Sequence, residues 1–248
     1  MIIIKSEREI EIMRQSGQVT AMILRELSHV IKPGVSTQDI SDFVEESIRK
    51  NKMTPTYKGY RDYPAAACVS VNDEVIHGIP NPKRRLREGD IVGVDIGCTH
   101  RGYISDAART YGVGKISEEA ERLIRAAEES FFKGLRFCRT GFRLSDISFA
   151  IQTKVEEEGF SVVRDFVGHG VGRALHEEPQ IPNFGKPGRG PRMAKGMVLA
   201  IEPMINQGSC EVEVREDNWT AVTKDGMLSA HYENTVVITE GEPELLTI

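Results

Sequence analysis

Residues 89–95 read Gly-Asp-Ile-Val-Gly-Val-Asp, and residues 196–202 read Gly-Met-Val-Leu-Ala-Ile-Glu. Both stretches have the apolar character of a buried strand, and both end in an acidic side chain. They lie 107 residues apart, and the same offset relates Gly-Val-Ser-Thr-Gln-Asp-Ile-Ser at 34–41 to Gly-Phe-Arg-Leu-Ser-Asp-Ile-Ser at 141–148. Each of these second motifs opens a predicted helix. One offset shared by a helix start and an acid-bearing strand indicates an internal duplication.

The duplication predicts two related halves, about residues 1–115 and 116–248, that place similar strands side by side. The separation between the acid that ends the repeated strand and the next candidate acid is 11 residues in the first half and 31 in the second. We interpret the 20 extra residues, around 209–227, as an inserted strand pair that carries the only tryptophan, Trp219. No linker or low-complexity stretch separates the halves, so we expect one domain over residues 1–248.

Local signals outline the elements of the first half. Ser6 and Glu9 form a capping box that begins a helix, and Pro33 with Gly34 ends it. Apolar residues at helical spacing predict a second helix around Ile40. Strands are predicted at residues 66–71, 75–76, 91–96 and 103–113, with a hairpin turn across 97–102.

Composition and charge exclude several classes of protein. The chain has 248 residues, of which 40% are hydrophobic, enough for a sizeable core. A net charge of −5 makes nucleic acid a poor candidate partner. Charged residues follow the apolar residues 1–4 at once, so we predict neither a signal peptide nor a membrane span. The four cysteines contain no CxxC pair, which favours reduced thiols and a cytoplasmic location.

Four acidic residues stand in or near apolar strands: Asp95, Asp106, Glu202 and Glu233. A buried carboxylate is unfavourable unless it is paired, hydrogen-bonded or bound to a metal. A single such acid is most simply structural. Four acids at corresponding places in duplicated halves would repel one another, and only protonation or cations could relieve that repulsion. Two divalent ions would balance four carboxylates, so the sequence predicts a dinuclear metal site.

Three histidines add to this hypothesis. His169 is bracketed by glycines directly after an apolar stretch, where it can serve as a neutral metal ligand. His176 follows in a loop, and His77 ends an apolar strand at a turn, where functional side chains often lie. We interpret the others, His29, His100 and His231, as solvated or structural, but His231 differs from the other two because it precedes Glu233 by two residues. Oxygen ligands with one imidazole suit Mn, Fe(II), Co or Zn, and ligand type alone does not choose among them.

These residues and their surroundings resemble a known family. The ordered set His77, Asp95, Asp106, His169, His176, Glu202 and Glu233 is similar to the site of the type I methionine aminopeptidases. The strings GDIVGVDIGC, SDAART, GHGVGRALHEEPQIPN, GMVLAIEPM and HYENTVVIT resemble that family's blocks in order. The resemblance runs from about Ile10 to Thr239. It implies an α+β "pita-bread" fold, in which a pseudo-twofold antiparallel sheet is covered by helices.

The resemblance also implies roles for residues. Asp95 would chelate one divalent ion, His169 and Glu202 the other, and Asp106 and Glu233 would bridge both. A water activated between the ions would attack the first peptide bond, with Glu202 moving its proton. His176 would stabilise the tetrahedral intermediate, and His77 would contact the amide nitrogen. The pocket for the methionine side chain would comprise Tyr60, Tyr63, Cys68, Leu175 and Trp219, although several relatives carry Phe at the position of Leu175.

Further expectations follow from the same resemblance. The substrate would be the N-terminal methionine of nascent polypeptides whose second residue is small, with transient contact at the ribosome, and the enzyme would be a cytoplasmic monomer. Some members hold a structural monovalent cation, for which the matching residues here are Asn72 and Ser229.

Three other classes of protein share this fold or this set of ligands. Prolidase and aminopeptidase P usually carry a separate N-terminal domain, and the roughly 60 residues before the pocket leave no room for one. Type II methionine aminopeptidases carry a long helical insertion, for which the 26 residues from His176 to Glu202 leave no space. A non-catalytic binding module on the same fold would have lost metal ligands, whereas all five are present here.

Overall fold

A computed structural model describes residues 1–248 as four helices and fifteen strands. The helices are α1 (Glu7–Val30), α2 (Thr37–Lys50), α3 (Glu118–Leu135) and α4 (Leu144–Glu157). The strands are β1 (Thr54–Pro55), β2 (Ala67–Val71), β3 (Glu74–Ile76), β4 (Ile91–His100), β5 (Tyr103–Gly112), β6 (Ser161–Val162), β7 (Gly168–Gly170), β8 (Glu177–Ile181), β9 (Val198–Ile201), β10 (Met204–Asn206), β11 (Val212–Val214), β12 (Ala221–Thr223), β13 (Ser229–His231), β14 (Asn234–Val237) and β15 (Glu244–Leu245). None of the helices combines the length and the apolar character needed to cross a membrane.

The helix starts follow the capping signals of the sequence. The Ser6–Glu9 capping box begins α1 as predicted. Asp39 accepts a hydrogen bond from the Ser36 backbone N–H at 2.8 Å at the start of α2, and Asp146 accepts one from the Arg143 N–H at 2.8 Å at the start of α4. The two motifs that share the 107-residue offset therefore cap helices in the same way. Helix α3 had not been predicted.

The hairpin of β4 and β5 is longer than predicted. Both strands have ten residues, and their only turn is Arg101-Gly102, with φ of 48° and 79°. Positive φ at both positions is typical of a two-residue hairpin loop. The predicted hairpin is confirmed, but its turn is shorter than the predicted stretch 97–102, since Gly97 lies inside β4 opposite Asp106. β4 also pairs with β1 and β2 along its other edge.

The second half contributes a five-stranded antiparallel sheet in the order β15-β14-β9-β7-β8. β9 ends at Ile201, so Glu202 lies just beyond the strand and not inside it as predicted. His169 lies within β7 and not after a strand. A Cβ atom at Gly170 would be 2.3 Å from the Glu178 carbonyl oxygen, so glycine is required there for β8 to approach.

Backbone hydrogen bonds join the two halves next to the predicted acids. The Glu233 N–H donates to the Ala108 carbonyl at 3.0 Å, and the Ala108 N–H donates back to the Glu233 carbonyl at 3.4 Å. The Asp106 N–H donates to Thr235 Oγ1 at 2.9 Å. β5 of the first half is thereby held beside β14 of the second.

The helices bury their apolar faces against these sheets. α1 and α2 pack on β2, β4 and β5, with Ile23, Leu27 and Ile40 fully buried. α3 and α4 pack on each other and on strands of the second half, around Phe131 and Ile147. β11 and β12 form the predicted inserted strand pair and extend β3 into a three-stranded sheet, with Trp219 between them in sequence.

Candidate metal centre and substrate cavity

One cavity of about 720 Å³ collects the residues that sequence analysis singled out as the site. The predicted ligands and catalytic histidines that line it are His77, Asp95, Asp106, His169, His176, Glu202 and Glu233. The predicted pocket residues that line it are Tyr60, Tyr63, Cys68, Leu175 and Trp219. Residues from both halves and from the inserted strand pair therefore face the same space.

The first half presents its two acids from adjacent strands. Asp95 lies on β4 opposite Ala108, and Asp106 lies on β5 opposite Gly97. The two carboxylates share one partner, because the Tyr57 hydroxyl lies 2.5 Å from Asp95 Oδ1 and also contacts Asp106 Oδ1, and its single proton is shared between the two acceptors. Sequence analysis did not identify Tyr57.

The second half brings the remaining candidate ligands to the same point. His169 Nε2 lies 3.4 Å from Glu202 Oε1 and 3.8 Å from Asp106 Oδ2. One ligand atom each from Asp106, His169 and Glu233 lies within 4.8 Å of the others, and all three residues are buried. This separation is small enough for the three side chains to share metal ions.

The orientation of His169 suits a metal ligand. Its Nδ1 is 2.9 Å from the Gly170 carbonyl oxygen, which can only accept, so Nδ1 carries the proton. The lone pair of Nε2 is then directed at Asp106 and Glu202 and free for a cation. Burial, and then the neighbouring His176, lower the pKa of His169 to about 3, so the ring is neutral.

The four carboxylates repel one another, and bound cations would relieve this repulsion. Burial, and then the neighbouring carboxylates, raise the pKa of Asp95, Glu202 and Glu233 well above their ordinary values. Burial raises the pKa of Asp106 to about 7. No lysine or arginine forms an ion pair with any of these carboxylates, and their only such neighbours are histidines. The acids are therefore gathered without side-chain cations.

Two unpartnered atoms point to the same conclusion. Glu233 Oε1 and His231 Nε2 are buried and have no hydrogen-bond partner. His231 Nε2 lies 3.8 Å from Glu202 Oε2 and 3.9 Å from Glu233 Oε2. A buried acceptor without a donor is unfavourable. The donor set of oxygens and one imidazole, together with this free oxygen, fits divalent cations.

The interpretation of His231 as solvated or merely structural was incomplete. The ring is buried against the acids, and burial lowers its pKa to about 3. The signal in the sequence was its position two residues before Glu233, because alternate residues of an extended segment face the same side. His29 is exposed, and His100 is half-buried and lines no part of the cavity.

The two remaining predicted histidines lie on the cavity wall. His176 Nδ1 is 2.7 Å from the Tyr60 hydroxyl, and its ring centroid is 4.4 Å from that of His169. His77 has φ of 59° at the end of β3 and lies edge-on between Phe166 and Trp219, at 5.8 and 6.0 Å. Burial lowers the pKa of His77 to about 4.

An apolar wall lies beside the acids. Trp219 packs edge-on against Tyr63 with ring centroids 5.0 Å apart, and Cys68 and Leu175 are buried in the same cluster. Cys68 pairs with Asp95 across β2 and β4. Phe166 and Val167 also line the cavity, and sequence analysis did not identify either. The cavity thus combines an acidic floor with aromatic and aliphatic walls.

The residues suggested for a monovalent cation are neighbours outside the cavity lining. The Ser229 N–H donates to the Asn72 carbonyl at 2.9 Å. Their side chains already have protein partners, because Asn72 bonds Asp90 and the Ile91 N–H while the Ser229 hydroxyl donates to the Ile205 carbonyl. The monovalent cation site stays a prediction.

Comparison with known proteins identifies the family of the chain. Residues 11–240 match metallopeptidase family M24. The chain is 55% identical to methionine aminopeptidase of Clostridium perfringens and 51% identical to methionine aminopeptidase 1 of Bacillus subtilis, with 100% of this chain and 99% of each relative covered. It superposes on the crystal structure of the Thermotoga maritima methionine aminopeptidase with a TM-score of 0.98 at 49% identity, covering 100% and 99% of the two chains.

A more distant likeness concerns the fold alone. Prolidase from Pyrococcus furiosus is 23% identical with a TM-score of 0.81, and the match covers 99% of this chain but 65% of that one. Together these likenesses confirm the predicted pita-bread fold.

Proposed function

The chain belongs to metallopeptidase family M24, and from this premise we propose that it is a metal-dependent aminopeptidase that removes N-terminal methionine from polypeptides with a small second residue. The convergence of four carboxylates, three of them buried, and His169 at the floor of a half-apolar cavity carries the proposal. The carboxylates at the floor have no side-chain cation as a partner, which accounts for metal dependence. The apolar wall suits binding of the thioether side chain of methionine.

We propose that two divalent ions occupy the floor. Asp95 would hold one of them, His169 and Glu202 the other, and Asp106 and Glu233 would hold both. When bound, such ions supply Lewis acidity and lower the pKa of water. The absence of lysine or arginine partners and the free Glu233 Oε1 support this assignment. The carboxylate-rich donor set suits Mn, Fe(II), Co or Zn.

His176 is proposed to stabilise the oxyanion that develops from the scissile carbonyl. Burial lowers its pKa, so the ring is neutral and only one of its nitrogens carries a proton. A Tyr60 hydroxyl that donates to Nδ1 leaves that proton on Nε2. Nε2 is then a hydrogen-bond donor for an oxygen that gains negative charge. Tyr60, assigned to the methionine pocket from sequence, thus also orients the ring.

The remaining groups bind the substrate and move protons. The walls formed by Tyr63, Cys68, Leu175 and Trp219 would receive the methionine side chain, and His77 would contact the amide nitrogen. Glu202 would accept the proton released by the attacking water, because burial and the neighbouring Asp106 raise the pKa of its carboxylate and make it a stronger base. The cellular setting we propose is the cytoplasm, with a monomer that meets nascent chains near the ribosome.

Hydrolysis of Met-Ala-Ser by metal-stripped protein tests the proposal. We expect no turnover without metal and turnover after Mn²⁺ or Co²⁺ is added. Met-Pro should be cleaved, while Xaa-Pro dipeptides with other first residues should not be cleaved. This result would separate the proposed activity from that of the proline-specific relatives, which accept such dipeptides. Metal-independent turnover, or equal cleavage of all Xaa-Pro dipeptides, would contradict it.

A further inference from the structure

The buried phenol of Tyr57 lies on the acidic floor and has no part in the reaction described above. Its hydroxyl contacts one oxygen of Asp95 and one of Asp106, and only 6% of the residue is exposed. We propose that Tyr57 is a positioning residue of the divalent-ion site, whose hydroxyl holds these two carboxylates in the orientation that binds metal. The inference rests on the proposed function, since it concerns the same ions.

The backbone fixes where the phenol lies. β1 pairs with β4 at Thr54–Thr99 and Pro55–Cys98, and the Thr56 N–H then donates to the Gly97 carbonyl at 2.9 Å. Tyr57 therefore comes directly after residues that pair with β4, the strand that carries Asp95. Its position is set by strand pairing and not by loop flexibility.

The side chain fills space that a glycine leaves open. A Cβ atom at Gly97 would be 2.9 Å from Tyr57 Cε1 and 2.8 Å from Thr56 Cβ. Gly97 is the cross-strand partner of Asp106, so the ring crosses β4 at the residue opposite that acid. The glycine that sequence analysis assigned to a turn thus permits the phenol to reach both carboxylates.

The two carboxylate oxygens of Asp106 have different neighbours. Oδ1 accepts from the Tyr57 hydroxyl, while Oδ2 lies 3.8 Å from His169 Nε2 and faces the other candidate ligands. A phenol is a neutral donor, so it fixes the rotation of a carboxylate without cancelling the charge that attracts a cation. Hydrogen bonds of this kind around metal ligands typically change metal affinity by about 10–100-fold.

Tyr57→Phe tests the proposal because it removes the hydroxyl and keeps the ring. Titration calorimetry of Mn²⁺ into metal-stripped protein should show an affinity about 10–100-fold weaker than in wild type. Tyr111→Phe is the matched control, since Tyr111 is half-buried, its hydroxyl donates to the Leu24 carbonyl at 2.6 Å, and it does not line the cavity. The control should bind Mn²⁺ as wild type does.

Gly97→Ala gives a second variant in which the hydroxyl is present but displaced. The new methyl group must push the ring or Thr56, so Mn²⁺ affinity should again fall. An unchanged or tighter affinity in Tyr57→Phe would overturn the proposal. So would a tyrosinate absorption band that appears when Mn²⁺ binds to wild type, because it would make Tyr57 a direct ligand. Wild-type protein that binds no divalent ion would instead contradict the proposed function itself.

Discussion

A substitution of His176 can separate metal binding from catalysis. Its ring lies beside His169 but is not one of the five proposed ligands. We predict that His176→Ala retains its full Mn²⁺ content and lowers kcat for Met-Ala-Ser by about 10²–10³-fold, the usual effect of removing one oxyanion donor. Elemental analysis and steady-state kinetics on the same sample measure both quantities.

The exposed His29 on α1 supplies the control for this change. His29→Ala should keep both metal content and kcat. If His176→Ala turned over at the wild-type rate, or lost metal in parallel with activity, the role assigned to the ring would be wrong.

Asp106 is expected to matter for every ion, because it is placed between the two proposed binding positions. It contacts the Asp95 side through Tyr57 and the His169 side through Oδ2. Asp106→Asn removes a shared negative charge, so we predict that metal content falls below one ion per chain. Asp95→Asn, which affects one proposed position, should retain about one ion. Two ions bound per Asp106→Asn chain would exclude a bridging role.

The sequence predicted residues whose chemistry conflicts with their local surroundings. Asp95 and Glu202 stood out because carboxylates in apolar strands need partners. Tyr57 did not stand out, because an aromatic ring is ordinary in a loop, and His231 stood out only by its position two residues before Glu233. Their positions depend on pairing between distant strands, of β1 with β4 and of β10 with β13. Single-sequence patterns do not contain such pairings.

At the level of elements, local sequence signals predicted where helices begin more accurately than where strands end. The Ser6–Glu9 capping box predicted the start of α1, and the repeated motif at 34–41 predicted the start of α2, where the structure also has a capping box at Ser36. The end of β4 was wrong, since Gly97 indicates a turn in isolation but here admits the Tyr57 ring. Helix α3 was not predicted, although Ser117 caps it.

An ion pair links the N-terminal segment to the loop that carries His176. Lys5 Nζ lies 2.5 Å from Glu177 Oε2, and both side chains are almost fully buried. The other oxygen of Glu177 accepts from the Arg173 and Ala174 backbone N–H groups at 2.9 and 3.3 Å. Glu177 thus fastens the loop to residue 5, directly beside the proposed oxyanion donor.

We predict that Lys5→Met lowers the free energy of unfolding by about 3–5 kcal/mol, because it leaves a buried carboxylate without its cation. It should also lower kcat more than it raises KM, since the loop positions His176. Denaturant unfolding and kinetics measure the two effects. Lys195→Met is the control: its partner Glu7 is 3.8 Å away and both are exposed, so the loss should stay within about 0.5 kcal/mol.

At the scale of the molecule, the site lies where the duplicated halves meet. Asp95 and Asp106 come from the first half, and His169, Glu202 and Glu233 from the second. The backbone bonds between Ala108 and Glu233 join the halves beside these residues. One hydrophobic cluster also includes Met13 of the first half and Val198 of the second. The duplication predicted from the sequence would explain why acids distant in sequence can converge. The contact between the halves could not be predicted from the sequence of either half alone.

We therefore propose that residues 1–248 unfold as one unit. Leu27 and Phe131 are fully buried in the separate cores of the first and second halves. Leu27→Ala should lower stability by about 2–5 kcal/mol and Phe131→Ala by about 3–5 kcal/mol. In calorimetry of metal-stripped protein, each change should move a single transition, by about 2–4 °C for each kcal/mol. Two transitions, of which Leu27→Ala moves one and Phe131→Ala the other, would mean that the halves are independent and that metal ions alone hold the site together.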